Sequence, residues 1–172
     1  RKQILFFLFL TMKFLIAIYK ESGIEVDDNL IKLIKKENQK IENLYLVHRI
    51  DKFTSGIVLL ARDENTKKYF EDAFKKRNIN KIYHAIVEGI IKNNRGTIDI
   101  SIGKDNKNPN KRIPLKVKEG GENAITNYKV LKRLKGHTLL ELNPITGRTH
   151  QIRVHLSYIG HSIIGDKIYS KN

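Results

Sequence analysis

The stretch that decides the fold reads HRIDKFTSGIVLLA and occupies residues 48–61. Its apolar part, residues 57–61, has the length and composition of a buried β-strand, and residues 45–47 predict a short strand just before it. Asp51 therefore lies on a loop between two strands. Such loops often carry functional side chains, because rigid sheet holds both of their ends.

The residues on either side extend this pattern into an α+β fold, a mixed, mostly antiparallel sheet with flanking helices. Few parallel crossover units are visible, which argues against a doubly wound sheet. The apolar start predicts two strands, 4–10 and 14–19, because Lys13 interrupts it well short of the roughly 20 residues that a membrane span needs. The other predicted strands are residues 81–90, 96–102, 113–117, 124–134 and 138–142.

Capping residues predict three helices. The first begins at residues 27–29, and the third is capped by Thr149 and runs towards Gly160. The second is capped by Asp63 or Asn65, ends near Arg77, and should bury a stripe made of Tyr69, Phe70, Ala73 and Phe74. The polar segment 103–112 is predicted to be a surface loop.

The charge balance points to a polyanionic partner. The chain has 172 residues with 33 Lys and Arg against 18 Asp and Glu, a formal net charge of +15. Charge alone does not separate RNA, DNA and acidic lipid as partners. Segments 67–77 and 104–112 are the candidate phosphate-binding surfaces. The chain has no cysteine, which excludes disulfides and thiolate chemistry and is compatible with the cytoplasm.

The length fits one compact domain covering residues 1–172, and a monomer is expected. The sequence opens on Arg1 and its only methionine is Met12. We therefore expect a fragment, or a chain with an upstream extension.

The loop around Asp51 is the first candidate site. Arg49 and Lys52 flank the carboxylate and favour its ionised form. An ionised carboxylate can act as a nucleophile or a general base. The alternative is structural, since Asp51 could merely organise the turn through Thr54, Ser55 and Gly56.

The second candidate site is NPITGRTHQIRVHL, residues 143–156. A strand ends there in a Pro- and Gly-containing turn, after which His150 and Arg153 share one face of a helix. His150 and His155 are five residues apart and have no acidic third ligand nearby, so we expect no metal. Arg153 could form a surface salt bridge or could hold the carboxylate of Asp51 by a bidentate pair.

Both sites resemble signatures of the RluA-type ribosomal large-subunit pseudouridine synthases. HRIDKFTSG resembles HRLDxxTSG, and GRTHQIRVHLSYIGHSIIGD resembles GRTHQIRVHL followed by GHPIxGD. KIYHAIVEG and FLIAIYKESGIEV are similar to two further strands of that family. The resemblance runs from about Phe14 to the C-terminus, includes no S4-type RNA-binding module, and implies a catalytic domain that lacks its last strands.

The resemblance implies roles for individual residues. Asp51 would be the catalytic aspartate, Tyr83 would stack on the target base, and Arg153 would be the partner of the aspartate. Arg49 would help to displace the base, and the other motif residues expected to contact RNA are Lys52, Thr54, Arg148, His150 and Gln151.

The implied activity is isomerisation of uridine to pseudouridine without a cofactor, in structured RNA, with large-subunit ribosomal RNA as the expected substrate. Asp51 could attack the sugar C1′, add to uracil C6, or abstract the C2′ proton. The alternative is a truncated, non-catalytic protein that binds RNA or assists ribosome assembly.

Overall fold

The computed structural model describes residues 7–11 and 13–170. The chain forms two compact units, one ending at Ile79 and the other beginning at Asn80. The α+β class predicted from the sequence is confirmed, and every strand pair among the described residues is antiparallel. No helix in the described ranges is long and apolar enough to cross a membrane. The single domain covering the whole chain stays a prediction.

The first unit is a four-stranded sheet with two helices. In chain order its elements are β1 (Phe7–Thr11), β2 (Leu15–Lys20), α1 (Asp28–Glu37), β3 (Tyr45–Leu46), β4 (Gly56–Ala61) and α2 (Glu64–Lys75). The strand order in the sheet is β1-β2-β4-β3. The predicted hairpin at the start is thus confirmed from residue 7 onward, while residues 4–6 and 12 lie outside the described residues.

The register of β2 against β4 positions the Asp51 loop. Leu15 lies opposite Ala61, and Lys20, the last residue of β2, lies opposite Gly56, the first residue of β4. The chain that enters β4 therefore comes from the Asp51 loop close to the end of β2. Ile16 and Ile18 of β2 and the apolar face of α1 are buried and supply the core of this unit.

The predicted inward stripe of α2 is only partly correct. Phe70, Ala73 and Phe74 are half-buried, but Tyr69 is 69% exposed, and α2 has no fully buried residue. Tyr69 lies about 100° around the helix axis from Phe70, which places it at the flank of the stripe. The helix contacts the sheet over a narrow strip, and its aromatic flank remains in solvent.

The second unit contains a four-stranded sheet, a small hairpin and one helix. Its elements are β5 (Tyr83–Glu88), β6 (Arg95–Asp99), β7 (Ile102–Lys104), β8 (Arg112–Pro114), β9 (Ile125–Leu134), β10 (His137–Pro144) and α3 (Gln151–Tyr158). The sheet order is β5-β10-β9-β6, and β7 pairs with β8. Segment 103–112, predicted as one loop, is instead the tip of this hairpin together with its strand ends.

Alternation along β10 builds the core of the second unit. Thr138, Leu140 and Leu142 are buried on one face, where Val87 and Leu156 pack against the two leucines. The predicted strand 113–117 ends early, at Pro114, and the next residue makes one more bond to the facing segment, from Leu115 N–H to Ser101 O at 2.9 Å. A single 3₁₀ turn, Val117–Glu119, follows.

The predicted cap of the last helix is wrong. The residue before α3 is His150, in the left-handed conformation with φ +57° and without a side-chain capping bond, whereas Thr149 is exposed. The side chain of Gln151 explains the difference. Its Oε1 accepts from the backbone N–H of Arg148, and this bond together with Gln151 N–H to Arg148 O closes the turn that a capping threonine would otherwise hold.

Thr138→Val should destabilise the second unit. The buried hydroxyl of Thr138 donates to Gly89 O (2.8 Å) and accepts from Ile91 N–H (3.1 Å), so an isosteric methyl leaves two backbone groups unsatisfied. We expect a loss of about 1–3 kcal/mol in the free energy of unfolding, measured by urea denaturation. The control is Thr97→Val, whose hydroxyl bonds the Asn127 side chain at an exposed position, and which should cost less than about 1 kcal/mol. Equal losses in both variants would contradict this account.

Candidate active site

Asp51 begins a tight turn in which three consecutive backbone carbonyls accept hydrogen bonds. Its carbonyl accepts from Thr54 N–H at 3.0 Å, which closes the four-residue turn. The next carbonyl, of Lys52, accepts from Gly23 N–H at 2.8 Å, and that of Phe53 accepts from Ser22 Oγ at 2.9 Å. The turn that carries Asp51 is thus fastened to the segment that follows β2.

The side chain of Lys20 adds further hydrogen bonds to this turn and to the segment after β2. It is fully buried, and its Nζ donates to the carbonyls of Glu21 (2.9 Å), Ile24 (2.8 Å) and Lys52 (3.0 Å). These bonds use all three protons of the ammonium group. Burial lowers the pKa of Lys20 from 10.5 to about 8, and the negative charge of Asp51 opposes that shift. A charged lysine therefore joins β2 to the backbone directly after Asp51.

Lys20 was not among the residues predicted from the sequence. The signal was its position, because Ile16, Ile18 and Lys20 alternate along β2 and must point to the same, buried face. A lysine at such a position needs acceptors inside the protein, which here are loop carbonyls. Alternation thus identifies Lys20 as a structural cation.

His48 anchors the other end of the loop. Its Nε2 accepts from Leu59 N–H of β4 at 2.9 Å, and its ring centroid lies 4.6 Å from that of Phe74 on α2. The loop between His48 and Gly56 therefore leaves and re-enters well-ordered structure. Along it Asp51 and Thr54 are half-buried, while Arg49 and Lys52 are exposed.

In the second unit, Gln151 organises the turn before α3. Its Nε2 donates to Ile125 O and Thr126 Oγ1, both at 2.9 Å, and its Oε1 accepts from Thr146 Oγ1 at 2.6 Å. With the bond from Arg148 N–H, the buried amide makes four hydrogen bonds within the unit. A contact of Gln151 with RNA would have to compete with them.

Arg153 is held by Asp166 in a bidentate pair. Its Nε donates to Oδ2 at 2.7 Å and its Nη2 donates to Oδ1 at 2.9 Å, with side-chain exposures of 13% for Arg153 and 5% for Asp166. The Tyr169 ring lies 4.9 Å from the guanidinium carbon. Burial alone would raise the pKa of Asp166, but the hydrogen bonds from Arg153 and from two backbone N–H groups, with the charge of Arg153, lower it. Asp166 was not assigned a role from the sequence, although it ends the second motif.

The two histidines of the second motif do not form a pair. His155 is buried and its ring nitrogens bond Thr126 Oγ1 and Ile100 O, while Nδ1 of His150 bonds the hydroxyl of Tyr169. Burial lowers the pKa of His155, which favours a neutral ring. Within residues 7–11 and 13–170, no group of three or more His, Cys, Asp or Glu side chains could hold a metal ion.

The remaining predicted residues lie at the surface or against a core. Arg148 makes an exposed ion pair, Nη1 to Glu122 Oε1 at 2.6 Å. Tyr83 begins β5 opposite Leu142 and packs, half-buried, against the core of the second unit.

The predicted site residues fall into two groups. Arg49, Asp51, Lys52 and Thr54 share one loop of the first unit. The others belong to the second unit and are Tyr83, Arg148, His150, Gln151 and Arg153. The pairing of Arg153 with Asp51 joins the two groups and stays a prediction.

The comparisons with known proteins agree on one family. Its family model, described as RNA pseudouridylate synthase, matches residues 15–158. The ribosomal large subunit pseudouridine synthase D of Borreliella burgdorferi is 39% identical over 126 residues, which are 73% of this chain and 38% of that protein. The dual-specificity RNA pseudouridine synthase RluA of Vibrio cholerae is 37% identical over 126 residues, 73% of this chain and 50% of that protein.

A solved structure agrees with these sequence matches. The human RNA pseudouridylate synthase domain containing 4 is 31% identical, has a TM-score of 0.81, and is matched over 95% of this chain and 69% of that one. The chain belongs to the RNA pseudouridine synthase family, and within it to the RluA type. It spans half or less of the length of the two curated relatives.

Asp166→Asn should destabilise the second unit by about 3–5 kcal/mol at neutral pH, because the buried bidentate ion pair between Arg153 and Asp166 is lost. The pKa of Asp166 is lower in the folded protein, so its stabilisation is present above the ordinary value of 3.8 and is lost as the pH falls through the folded value. The difference in unfolding free energy between wild type and variant should therefore narrow below pH 3.8.

The control for this prediction is Glu122→Gln, which breaks the exposed pair with Arg148 and should cost less than about 1 kcal/mol. Urea denaturation at a series of pH values measures both variants. A loss in Asp166→Asn no larger than that in Glu122→Gln would show that the buried pair is not needed for stability.

Proposed function

We propose that this protein is an RNA pseudouridine synthase that isomerises uridines in structured RNA and uses Asp51 as its catalytic group. The observation that carries the proposal is Asp51 at the first position of a rigid turn, inside the motif that the matched family model covers. A carboxylate on a fixed backbone can be aimed at a substrate without further ordering of the chain.

The reaction needs only groups that the chain can supply. The C1′–N1 bond of the uridine breaks, the uracil rotates, a C1′–C5 bond forms, the C5 proton leaves, and N1 gains a proton. Atoms and electrons balance within the nucleotide, so the proposal includes no cofactor. Asp51 starts each of the three open routes as an ionised carboxylate, acting at C1′, at C6 or on the C2′ proton.

Access to the uridine requires base flipping. A paired or stacked base must leave its stack at a cost of a few kcal/mol. Stacking of the flipped base on Tyr83 would offset about 1–3 kcal/mol of this, and phosphate contacts of Arg49 and Lys52 would contribute more. Arg153, fixed by Asp166, would hold the carboxylate of Asp51 in position.

We propose large-subunit ribosomal RNA as the substrate and the cytoplasm as the place of action. The support is the name of one relative, ribosomal large subunit pseudouridine synthase D. The net charge of +15 fits a large folded RNA, because each phosphate contact releases counterions. A monomer suffices for the proposal.

Asp51→Asn should abolish pseudouridine formation and leave RNA binding intact. The amide keeps the size of the side chain and the backbone bonds of the turn, but it is neither a nucleophile nor a base. We expect the rate to fall by at least about a thousandfold, with RNA affinity within about threefold of wild type. The measurement is carbodiimide mapping of pseudouridine after incubation with large-subunit ribosomal RNA transcript.

Asp72→Asn, an exposed carboxylate on α2, is the matched control and should react like wild type. A wild-type protein that binds the transcript yet leaves no pseudouridine would favour the non-catalytic RNA-binding alternative. Product in transfer RNA transcript but not in ribosomal RNA would overturn only the choice of substrate.

The activity should fall as the pH rises through about 8. Lys20 then loses a proton. The deprotonated amine has one hydrogen-bond donor fewer and no longer places a positive charge near Asp51. If only the protonated form supports the reaction, kcat at saturating RNA should fall roughly tenfold between pH 7 and pH 9.

Lys20→Arg tests the cause, because a guanidinium stays protonated over this range. Whatever its absolute rate, this variant should lack the decrease around pH 8. The same decrease in wild type and Lys20→Arg would assign it to another group.

A further inference from the structure

Phe53 lies at the centre of the Asp51 turn, and its side chain is 65% exposed. Single apolar side chains at a surface are common, so exposure alone assigns no role to it. The position is different in two respects, which are the rigidity of the backbone beneath the ring and the charges around it.

Hydrogen bonds hold the backbone on which Phe53 lies. The carbonyls of Asp51, Lys52 and Phe53 accept four hydrogen bonds, from Thr54 N–H, from Gly23 N–H and Lys20 Nζ, and from Ser22 Oγ. A ring presented from such a backbone has only its two side-chain torsions to order. An aromatic residue of this kind binds a partner at low entropic cost.

The exposed charges on the loop that carries Phe53 are positive, whereas Asp51 on the same loop is half-buried. Lys52 precedes it on the turn and is exposed, and Arg49 is exposed on the same loop. An aromatic ring beside lysine and arginine is the combination that binds single-stranded nucleic acid, because the ring stacks on a base and the cations contact phosphates. An apolar protein surface would find these charges unfavourable to bury.

We propose that Phe53 is a stacking platform for an unpaired base next to the target uridine, with Lys52 on the adjoining phosphate. The inference rests on the proposed function, because Asp51 sets where the target uridine lies. Phe53 takes a neighbouring nucleotide, a task distinct from that of Tyr83 on the target base. The platform holds the strand open beside the flipped uridine.

A tryptophan at this position gives a direct reading of stacking. The chain has no tryptophan, so Phe53→Trp carries a single indole fluorophore. Titration with a single-stranded oligouridylate of about twelve nucleotides should quench its fluorescence, and a blunt RNA duplex of equal length and salt should quench it much less. Tyr69→Trp, 69% exposed on α2, is the matched control and should respond weakly to both. Equal quenching of both tryptophans, or none with the single strand, would overturn the proposal.

Substitutions separate stacking from simple apolar contact. Phe53→Ala and Phe53→Leu should each weaken binding of large-subunit ribosomal RNA transcript about 5- to 150-fold, while Phe53→Tyr should bind like wild type. Because the ring is exposed, thermal unfolding should be unchanged in all three. Full affinity in Phe53→Leu would show that the ring does not stack.

The rate measurement distinguishes this proposal from the proposed function. In Phe53→Ala the RNA concentration for half-maximal rate should rise, with the maximal rate nearly unchanged, opposite to the pattern of Asp51→Asn. Pseudouridine formation in wild type together with normal RNA affinity in Phe53→Ala would overturn the stacking platform alone. Quenching of Phe53→Trp without any pseudouridine from wild type would support the platform and overturn the activity.

Discussion

The first unit depends on the buried ammonium of Lys20 and the three carbonyls around it. Removing a charge from water is expensive, and it persists in a protein interior only where polar groups replace the lost hydration. Here the acceptors come from Glu21, Ile24 and Lys52, which lie on two separate connections. One side chain at the end of β2 therefore orders both the turn after that strand and the turn that carries Asp51.

The second unit solves a similar problem with a different pair of charges. Arg153 lies mostly buried, and Asp166 holds it by two parallel hydrogen bonds, a geometry that fixes the guanidinium plane. The guanidinium carbon lies 4.9 Å from the centroid of the Tyr169 ring, and the hydroxyl of Tyr169 bonds Nδ1 of His150. In both units hydrogen bonds to the surrounding protein fix the position of a buried cation.

The sequence predicted those features whose signal is local. Alternation and apolar runs predicted most of the strands, and Asp27 and Asp63 were among the candidate helix caps, because capping needs only neighbouring residues. The roles of Lys20 and Asp166 depend on partners distant in the chain, Lys52 and Arg153, which local periodicity does not contain. The motif contained Asp166, but only the structure shows which side chain it binds.

The arrangement at Lys20 also shows how a cation can act on the carboxylate of Asp51 while its own hydrogen bonds go to the backbone. The three ammonium protons are directed at carbonyl oxygens, so Lys20 acts on Asp51 through its charge and through the backbone. Because its three donors bond backbone carbonyls, Lys20 keeps its charge near Asp51 and holds the turn in place. Lys52 and Phe53 lie on the exposed side of the same turn.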